Sequence, residues 1–406
     1  MNDLKECLQR MGDLFSKCFA FRRDLEAKAA GIYPFFKPIS GLNGTHITVD
    51  GRDVIMVGSN NYLGLTTHPK VKAAALSALE KFGTSCSGSR FLNGTLDLHE
   101  QLEASLARFM RKEAAIVFTT GFLTNQGVIA PLVGREDTVV VDRLVHASIH
   151  EGARLGFGRI RRFRHNDPQS LRKILEVSRE GNGGILVIVD GVYSMEGDIA
   201  PLPDIVAVTK EFGGRIMVDD AHGLGVLGKT GRGVLEHFGL SDEIDLVMGT
   251  FSKSFASLGG FIAGAERVIS YIRHHSRALI FSAAMPPAAV ASVQAALEVI
   301  ETEPEIRENL WRNTRFLKEG IVQAGFLTGP TETPVVPIII GDDIRTAYFW
   351  KRALDEGLFT NCVLSPAVPP GQQRIRMCAM ATHTREDLEK VVEICTRVGK
   401  ELGIIS

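Results

Sequence analysis

Residues 215–222 read Arg-Ile-Met-Val-Asp-Asp-Ala-His, an apolar run that stops abruptly on Asp219, Asp220 and His222. A strand apolar on both faces belongs in a sheet covered on both sides, the situation of parallel strands between helices. The polar residues then fall at the carboxyl edge, where open α/β sheets bind ligands. Fold class and the place to look for chemistry both follow from this stretch.

Runs of the same kind recur from about residue 112, separated by helical stretches, at 115–119, 138–142, 159–164, 185–190 and 245–249. They predict an α/β fold with a mostly parallel central sheet. After Pro286 and Pro287 a helical segment rich in alanine to Ile300 leads to strands near 335–340 and 374–377, expected in a smaller C-terminal α+β domain. In the first 30 residues Leu4, Leu8, Met11, Leu14, Phe15 and Cys18 stand three or four apart, an amphipathic helical pattern. The 406 residues exceed one ordinary core, so the expected division is a helical arm 1–45, a large domain 46–288 and a small domain 289–406.

With 46 basic and 47 acidic residues and a net charge of -1, nothing points to nucleic acid. Arg159, Arg161, Arg162 and Arg164 read as a protected strand edge. The cysteines are scattered, with no metal-ligand spacing, as reduced thiols of a cytoplasmic protein would be. The N-terminus lacks a signal-peptide pattern, and the longest apolar runs, 185–189 and 335–340, are too short to span a bilayer. Since the arm's polar face is not strongly basic, packing on the body or on a partner subunit is the favoured expectation. A weak peripheral contact with the inner membrane face is the minor one.

Gly223 to Thr230 fits G-x-x-x-x-G-K-[ST], the phosphate loop of nucleoside triphosphatases. That loop must open a helix, and Gly231, Arg232 and Gly233 follow at once. This function is kept as a distant alternative.

Lys253 lies in Gly249-Thr250-Phe251-Ser252-Lys253-Ser254, just after an expected strand. A lysine is ordinarily a surface residue. Together with Asp219 at a neighbouring strand end, however, it points to pyridoxal phosphate, which needs an amine for its aldehyde and a carboxylate facing its pyridine nitrogen. Thr119-Thr120-Gly121-Phe122, at a strand-to-helix turn, offers backbone N–H groups for the phosphate, and Thr250 and Ser252 offer hydroxyls. His146, between a strand and a helix, is placed to stack on the ring.

The chain resembles the α-oxoamine synthases, a family of fold-type-I pyridoxal phosphate enzymes. The likeness is carried by Ser59-Asn60-Asn61-Tyr62-Leu63-Gly64, Gly88-Ser89-Arg90, Asp142 to Ser148, Asp190 to Asp198, Asp219 to Gly223, Gly249 to Lys253 and Met380-Ala381-Thr382-His383-Thr384. Segments 87–103, 249–261 and 365–384 are most similar to the bacterial serine palmitoyltransferase branch. That branch usually carries Glu where this chain has Asp220, which is more like the ligase and biotin-pathway branches.

The resemblance implies Lys253 as the covalent anchor and proton carrier, Asp219 as the pyridine partner, and His222 and Ser194 beside the phenolic oxygen. It implies His146 as the stacked ring and Arg376 as holder of the amino-acid carboxylate. Asn60 and Ser282 are implied to reach the site from the other subunit of a homodimer. The activity it implies is decarboxylative condensation of an amino acid with an acyl-CoA, serine with palmitoyl-CoA giving 3-ketodihydrosphingosine. The alternatives are 2-amino-3-ketobutyrate ligase and 8-amino-7-oxononanoate synthase.

Overall fold

The computed structural model describes residues 13–179, 181 and 183–406. Its strands in chain order are β1 (Gly41–Asn43), β2 (His46–Val49), β3 (Arg52–Met56), β4 (Ala114–Phe118), β5 (Thr138–Asp142), β6 (Arg159–Phe163) and β7 (Ile185–Asp190). Then follow β8 (Arg215–Asp219), β9 (Leu246–Thr250), β10 (Gly260–Gly264), β11 (Val335–Ile339), β12 (Leu358–Phe359), β13 (Asn361–Val363) and β14 (Arg374–Cys378).

Seven strands form the central sheet in the order β4-β10-β9-β8-β7-β5-β6. The pairs from β9 across to β6 are parallel, whereas β10 is antiparallel to both β4 and β9. The expected strands are present, displaced by at most one residue at an end. The apolar runs of β5, β7 and β9 are buried almost throughout because helices cover both faces. The arginine-rich strand, β6, is the exposed edge, where charged side chains deter pairing with another chain.

The sequence reading did not find β10, because its flanking glycines look like turn residues. They serve close packing instead. A side chain on Gly260 would meet the Thr124 hydroxyl at 2.6 Å and the Gly121 backbone at 2.9 Å, so its absence lets the helix Gly121–Leu132 lie against the sheet.

A second sheet, β1-β2-β3-β12, joins the chain's early strands to residues 358–359, and a third, β11-β14-β13, is antiparallel. The helix Pro287–Thr302 packs along the helix Pro69–Phe82.

The described part of the arm is helical in two pieces. Leu4, Leu8 and Met11 lie outside the described residues. Beyond them stand two short helices, Ser16–Ala20 and Arg23–Ala29, broken at Phe21, whose backbone is extended. Leu14, Phe15 and Phe19 are exposed. Helices this short depend on tertiary packing, and within the single chain the apolar face has little to pack against.

Near the site, the carboxylate of Glu103 on the helix Asp97–Met110 fastens three elements. It accepts from Arg90 Nη1 at 2.7 Å, from the backbone N–H of Val117 on β4 at 3.0 Å and from Arg273 Nη2 at 3.0 Å. The side chains of Arg90 and Glu103 are both only 6% exposed, so removing one charge strands the other in a poor dielectric. Replacing Glu103 by Ala is expected to cost about 3–5 kcal/mol, read as a lower urea midpoint, and replacing it by Gln to cost less.

Candidate active site

Five chain segments leave the sheet at the same edge, and the chemistry-bearing side chains ride on them. After β4, Thr120 caps the helix Gly121–Leu132 by accepting from Leu123 N at 3.1 Å. The N–H groups of Gly121 and Phe122 have no acceptor within the helix and point outward, as an anion site requires. The turn after β5 carries His146, that after β7 Ser194, that after β8 His222, and that after β9 Ser252 and Lys253, with Thr250 as the last residue of β9.

Nine of the residues expected from the sequence line one hollow of about 270 Å³: Gly121, Phe122, His146, Ser194, Asp219, His222, Thr250, Ser252 and Lys253. An adjoining hollow of about 630 Å³ shares His146, Ser194, His222, Ser252 and Lys253 and adds Asn60, Arg376 and the arm residues Phe35 and Phe36.

Asp219 ends β8 with both oxygens engaged, Oδ1 by the Ala221 N–H at 3.1 Å and Oδ2 by Asn125 Nδ2 at 2.7 Å. The same amide donates to Ser148 Oγ at 2.8 Å, and that hydroxyl lies 2.7 Å from His146 Nδ1. A chain of hydrogen bonds thus runs from Asp219 to His146. Since His146 Nδ1 also accepts from Ser148 N, a neutral ring carries its proton on Nε2.

Burial pulls the Lys253 amine down to about 8, with Arg376 acting in the same sense against Asp219 and Asp190. The neutral, nucleophilic amine is therefore accessible near neutral pH. Burial likewise holds His222 well below the usual imidazole range, reinforced by Lys253, Arg376 and His146. Tyr62 Oη lies 2.7 Å from His222 Nδ1 and 3.5 Å from Asn60 Oδ1. The shorter contact takes the phenolic proton, and burial keeps Tyr62 protonated. His222 is then neutral with its proton on Nε2.

Arg376, on β14, donates from Nε to the Ser194 carbonyl at 2.6 Å, while its buried Nη2 has no partner among the described residues. A buried guanidinium N–H without an acceptor, on a side chain that lines the outer hollow, suits a carboxylate. The residues fit pyridoxal phosphate: an anion cup, a fixed carboxylate across from it, a neutral imidazole and an amine of lowered pKa, with the free Arg376 edge beside them.

The family match runs over residues 52–394 and is to aminotransferase class I and II. The chain belongs to the class I and II aminotransferase family. Its fold is that of the fold-type-I pyridoxal phosphate enzymes. The serine palmitoyltransferase of Sphingobacterium spiritivorum is 47% identical over 97% of this chain and 99% of its own. The 8-amino-7-oxononanoate synthase of Symbiobacterium thermophilum is 43% identical over 93% of this chain and 96% of its own. A solved structure of SPT with a PLP internal aldimine superposes with a TM-score of 0.94 at 38% identity, covering 97% of this chain and 100% of that one.

Within this family member two expected residues behave differently from the rest. Asn60, expected to serve the other subunit, lines the outer hollow of its own chain, because the segment after β3 folds back beside β14; its Oδ1 lies 3.7 Å from Cys378 Sγ. Ser282 lies outside both hollows, in a cavity of about 10 Å³ beside Arg90 and His99. Asn125, Ser148 and Tyr62 are functional neighbours that sequence reasoning did not assign. Tyr62 stood in a quoted motif, and Asn125 follows Gly121 by one helical turn, the spacing that places both on one face.

Asp220 lines neither hollow. Its Oδ2 accepts from Val234 N at 2.9 Å, and a methyl group on Gly223 or Gly233 would collide with its carboxyl group. Here Asp packs behind the site. Asp220→Glu is expected to lose about 1–3 kcal/mol by overpacking, measured by thermal denaturation, with the preference among amino acids unchanged.

Proposed function

We propose that this chain uses pyridoxal phosphate to condense an amino acid with an acyl-CoA, releasing CoA and carbon dioxide, with serine and palmitoyl-CoA as its pair and 3-ketodihydrosphingosine as product. The observation that carries the reading is the meeting, in two joined hollows, of the Lys253 amine, the fixed Asp219 carboxylate, the Gly121 cup and the unpaired Arg376 edge. The serine palmitoyltransferase is closer in identity than the 8-amino-7-oxononanoate synthase, 47% against 43%.

The cofactor, when bound, supplies the electron sink that makes a Cα proton acidic. The protein's own groups do the rest. Lys253 would hold the cofactor through its amine and, as a free amine, would take the Cα proton at Nζ. Asp219, oriented by Asn125 and Ala221, would keep the pyridine nitrogen protonated. Gly121, Phe122, Thr250 and Ser252 would hold the phosphate. His146 would hold the ring, Ser194 and His222 its phenolic oxygen, and Arg376 would receive the amino-acid carboxylate, with Asn60 beside it.

The active unit in this reading is a homodimer. Ser282 turns away from its own hollow, and the neighbouring Phe281 is 77% exposed, a large apolar side chain that a second copy would cover. In this reading the protein works in the cytoplasm, and the arm's exposed Phe15, Phe19 and Phe21 pack on the body or on the partner subunit, with a weak contact at the inner membrane face as the minor alternative. No helix among the described residues is long and apolar enough to cross a membrane.

Borohydride reduction followed by peptide mapping should place the pyridoxyl group on Lys253; label on another lysine overturns the site. Turnover of serine with palmitoyl-CoA should exceed that of glycine with acetyl-CoA by more than roughly tenfold, about 1.4 kcal/mol in transition-state preference. Equal or reversed rates would transfer the assignment to a short-chain synthase or ligase. Full activity in a protein that sediments as a monomer would rule out the shared-site dimer.

A further inference from the structure

His165 lies outside both hollows, in the turn after β6, with its side chain 17% exposed. Its Nδ1 is 3.1 Å from Asp142 Oδ1 and its Nε2 is 3.0 Å from Asp198 Oδ2. Carboxylates accept and cannot donate, so two good hydrogen bonds require a proton on each ring nitrogen. Burial would lower the imidazole's pKa, but Asp142 and Asp198 hold it up at about 9. The edge of the Tyr193 ring closes the position, with ring centroids 4.4 Å apart. Glu196 and Asp190 are the other acidic groups near this cluster; Arg374 Nη1 pairs with Glu196 at 3.2 Å, and Asp190 accepts from His146 N at 3.2 Å. Arg164 and Asp167 of the same turn pair with each other at the surface.

The two carboxylates belong to different walls of the site. Asp142 ends β5 and accepts from Leu144 N at 2.8 Å, which shapes the turn that delivers His146. Asp198 closes the hairpin after β7, where its carbonyl accepts from Tyr193 N at 3.0 Å and residues 192 and 199 bridge. That hairpin presents Ser194, whose carbonyl holds Arg376 Nε. Asn166 reinforces both ends, its backbone N–H donating to Asp142 Oδ2 and its Nδ2 to Asp198 Oδ2.

We propose that His165 is a positioning residue, a standing imidazolium that locks the His146 turn to the Ser194 hairpin and, through the Ser194 carbonyl, aims the Arg376 guanidinium at its carboxylate ligand. Without it two buried carboxylates repel across the gap, the hairpin relaxes, and Arg376 loses the acceptor that fixes its plane. The effect falls on binding of the amino acid more than on the chemical step. This consequence rests on the carboxylate-binding reading of Arg376, whereas the protonation of His165 does not.

Two measurements on the holoenzyme test the inference. Nitrogen NMR of 15N-histidine-labelled protein, with His165 assigned by its loss in His165→Asn, should show a doubly protonated ring through pH 7.5; a ring titrating between about 6 and 7, the ordinary histidine range, overturns the proposal. In His165→Asn the dissociation constant for serine, read from the cofactor's absorbance change, should rise about tenfold with kcat altered less than about threefold; His165→Arg, a permanent cation with donors for both carboxylates, should restore binding to within about threefold. If His165→Asn does not fold, Asp198→Asn keeps an acceptor while removing a charge. Its serine affinity should then fall as pH rises from about 6.5 to 8.5, where the wild type's does not, because the imidazole's pKa drops into that window. Normal wild-type affinity that His165→Asn leaves unchanged overturns the inference alone. A wild type that binds no amino acid overturns the reading of Arg376 and the inference with it.

Discussion

The register of β7 against β8 sets Asp190 beside Asp219, and two neighbouring buried carboxylates cannot both keep a charge without help. The structure resolves the conflict asymmetrically. Asp219 has Asn125 and the Ala221 N–H on it, whereas Asp190 has only the long contacts to His146 N, at 3.2 and 3.4 Å. Burial and the proximity of Asp219 accordingly push Asp190 far above the usual carboxylate range. One acid is left to face a ligand and the other to brace a loop. Lys253 is tuned against this pair, and the Asn125 amide carries the arrangement on to Ser148 and His146.

Much of this was legible in the chain, and the legible part has a common physical origin. Apolar runs such as 138–142 and 185–190 cannot be surface strands, so the sheet declares itself wherever both faces are covered. The polar residues after those runs declare the site, since a parallel sheet leads all its strand ends to one edge. Asp219, His222 and Lys253 were found in this way. The glycine-rich 223–233 segment is a series of turns, with positive φ at Gly225, Gly228, Gly231 and Gly233, which is incompatible with a helix opening on a phosphate loop.

What was not legible depends on contacts between distant segments. Asn125 is an unremarkable helix residue until β8 brings Asp219 within 2.7 Å. Tyr62 and His222 are 160 positions apart, and only the fold makes the phenol choose the imidazole's tautomer. Asn60 and Arg376 are more than 300 positions apart, and only the fold brings both to one hollow. Strand β10 was hidden for a different reason: its glycines are there to admit a helix, and local propensity has no means of weighing a neighbour that is not adjacent in sequence.

Size alone would have led elsewhere. A larger hollow, about 740 Å³, lies at the opposite edge of the sheet among Arg111, Lys112, Asp137, Arg215 and Asp245. Several of its polar groups are paired within the protein: Arg215 pairs with Asp245 at 2.8 Å, Lys112 donates to the Ile244 carbonyl at 2.6 Å, and Asp137 accepts from Gly134 and Gly184. The two edges also differ in the sign of the backbone field. Helices that follow parallel strands begin at the carboxyl edge and end near the other, so unpaired N–H groups gather on one side and carbonyls on the opposite one. A phosphate-bearing ligand finds an electropositive cup at that carboxyl edge, as where Gly121 opens its helix. The polarity of the peptide unit, repeated through the sheet, leaves donors without acceptors at the smaller hollow, and that is what suits it to a phosphate-bearing ligand.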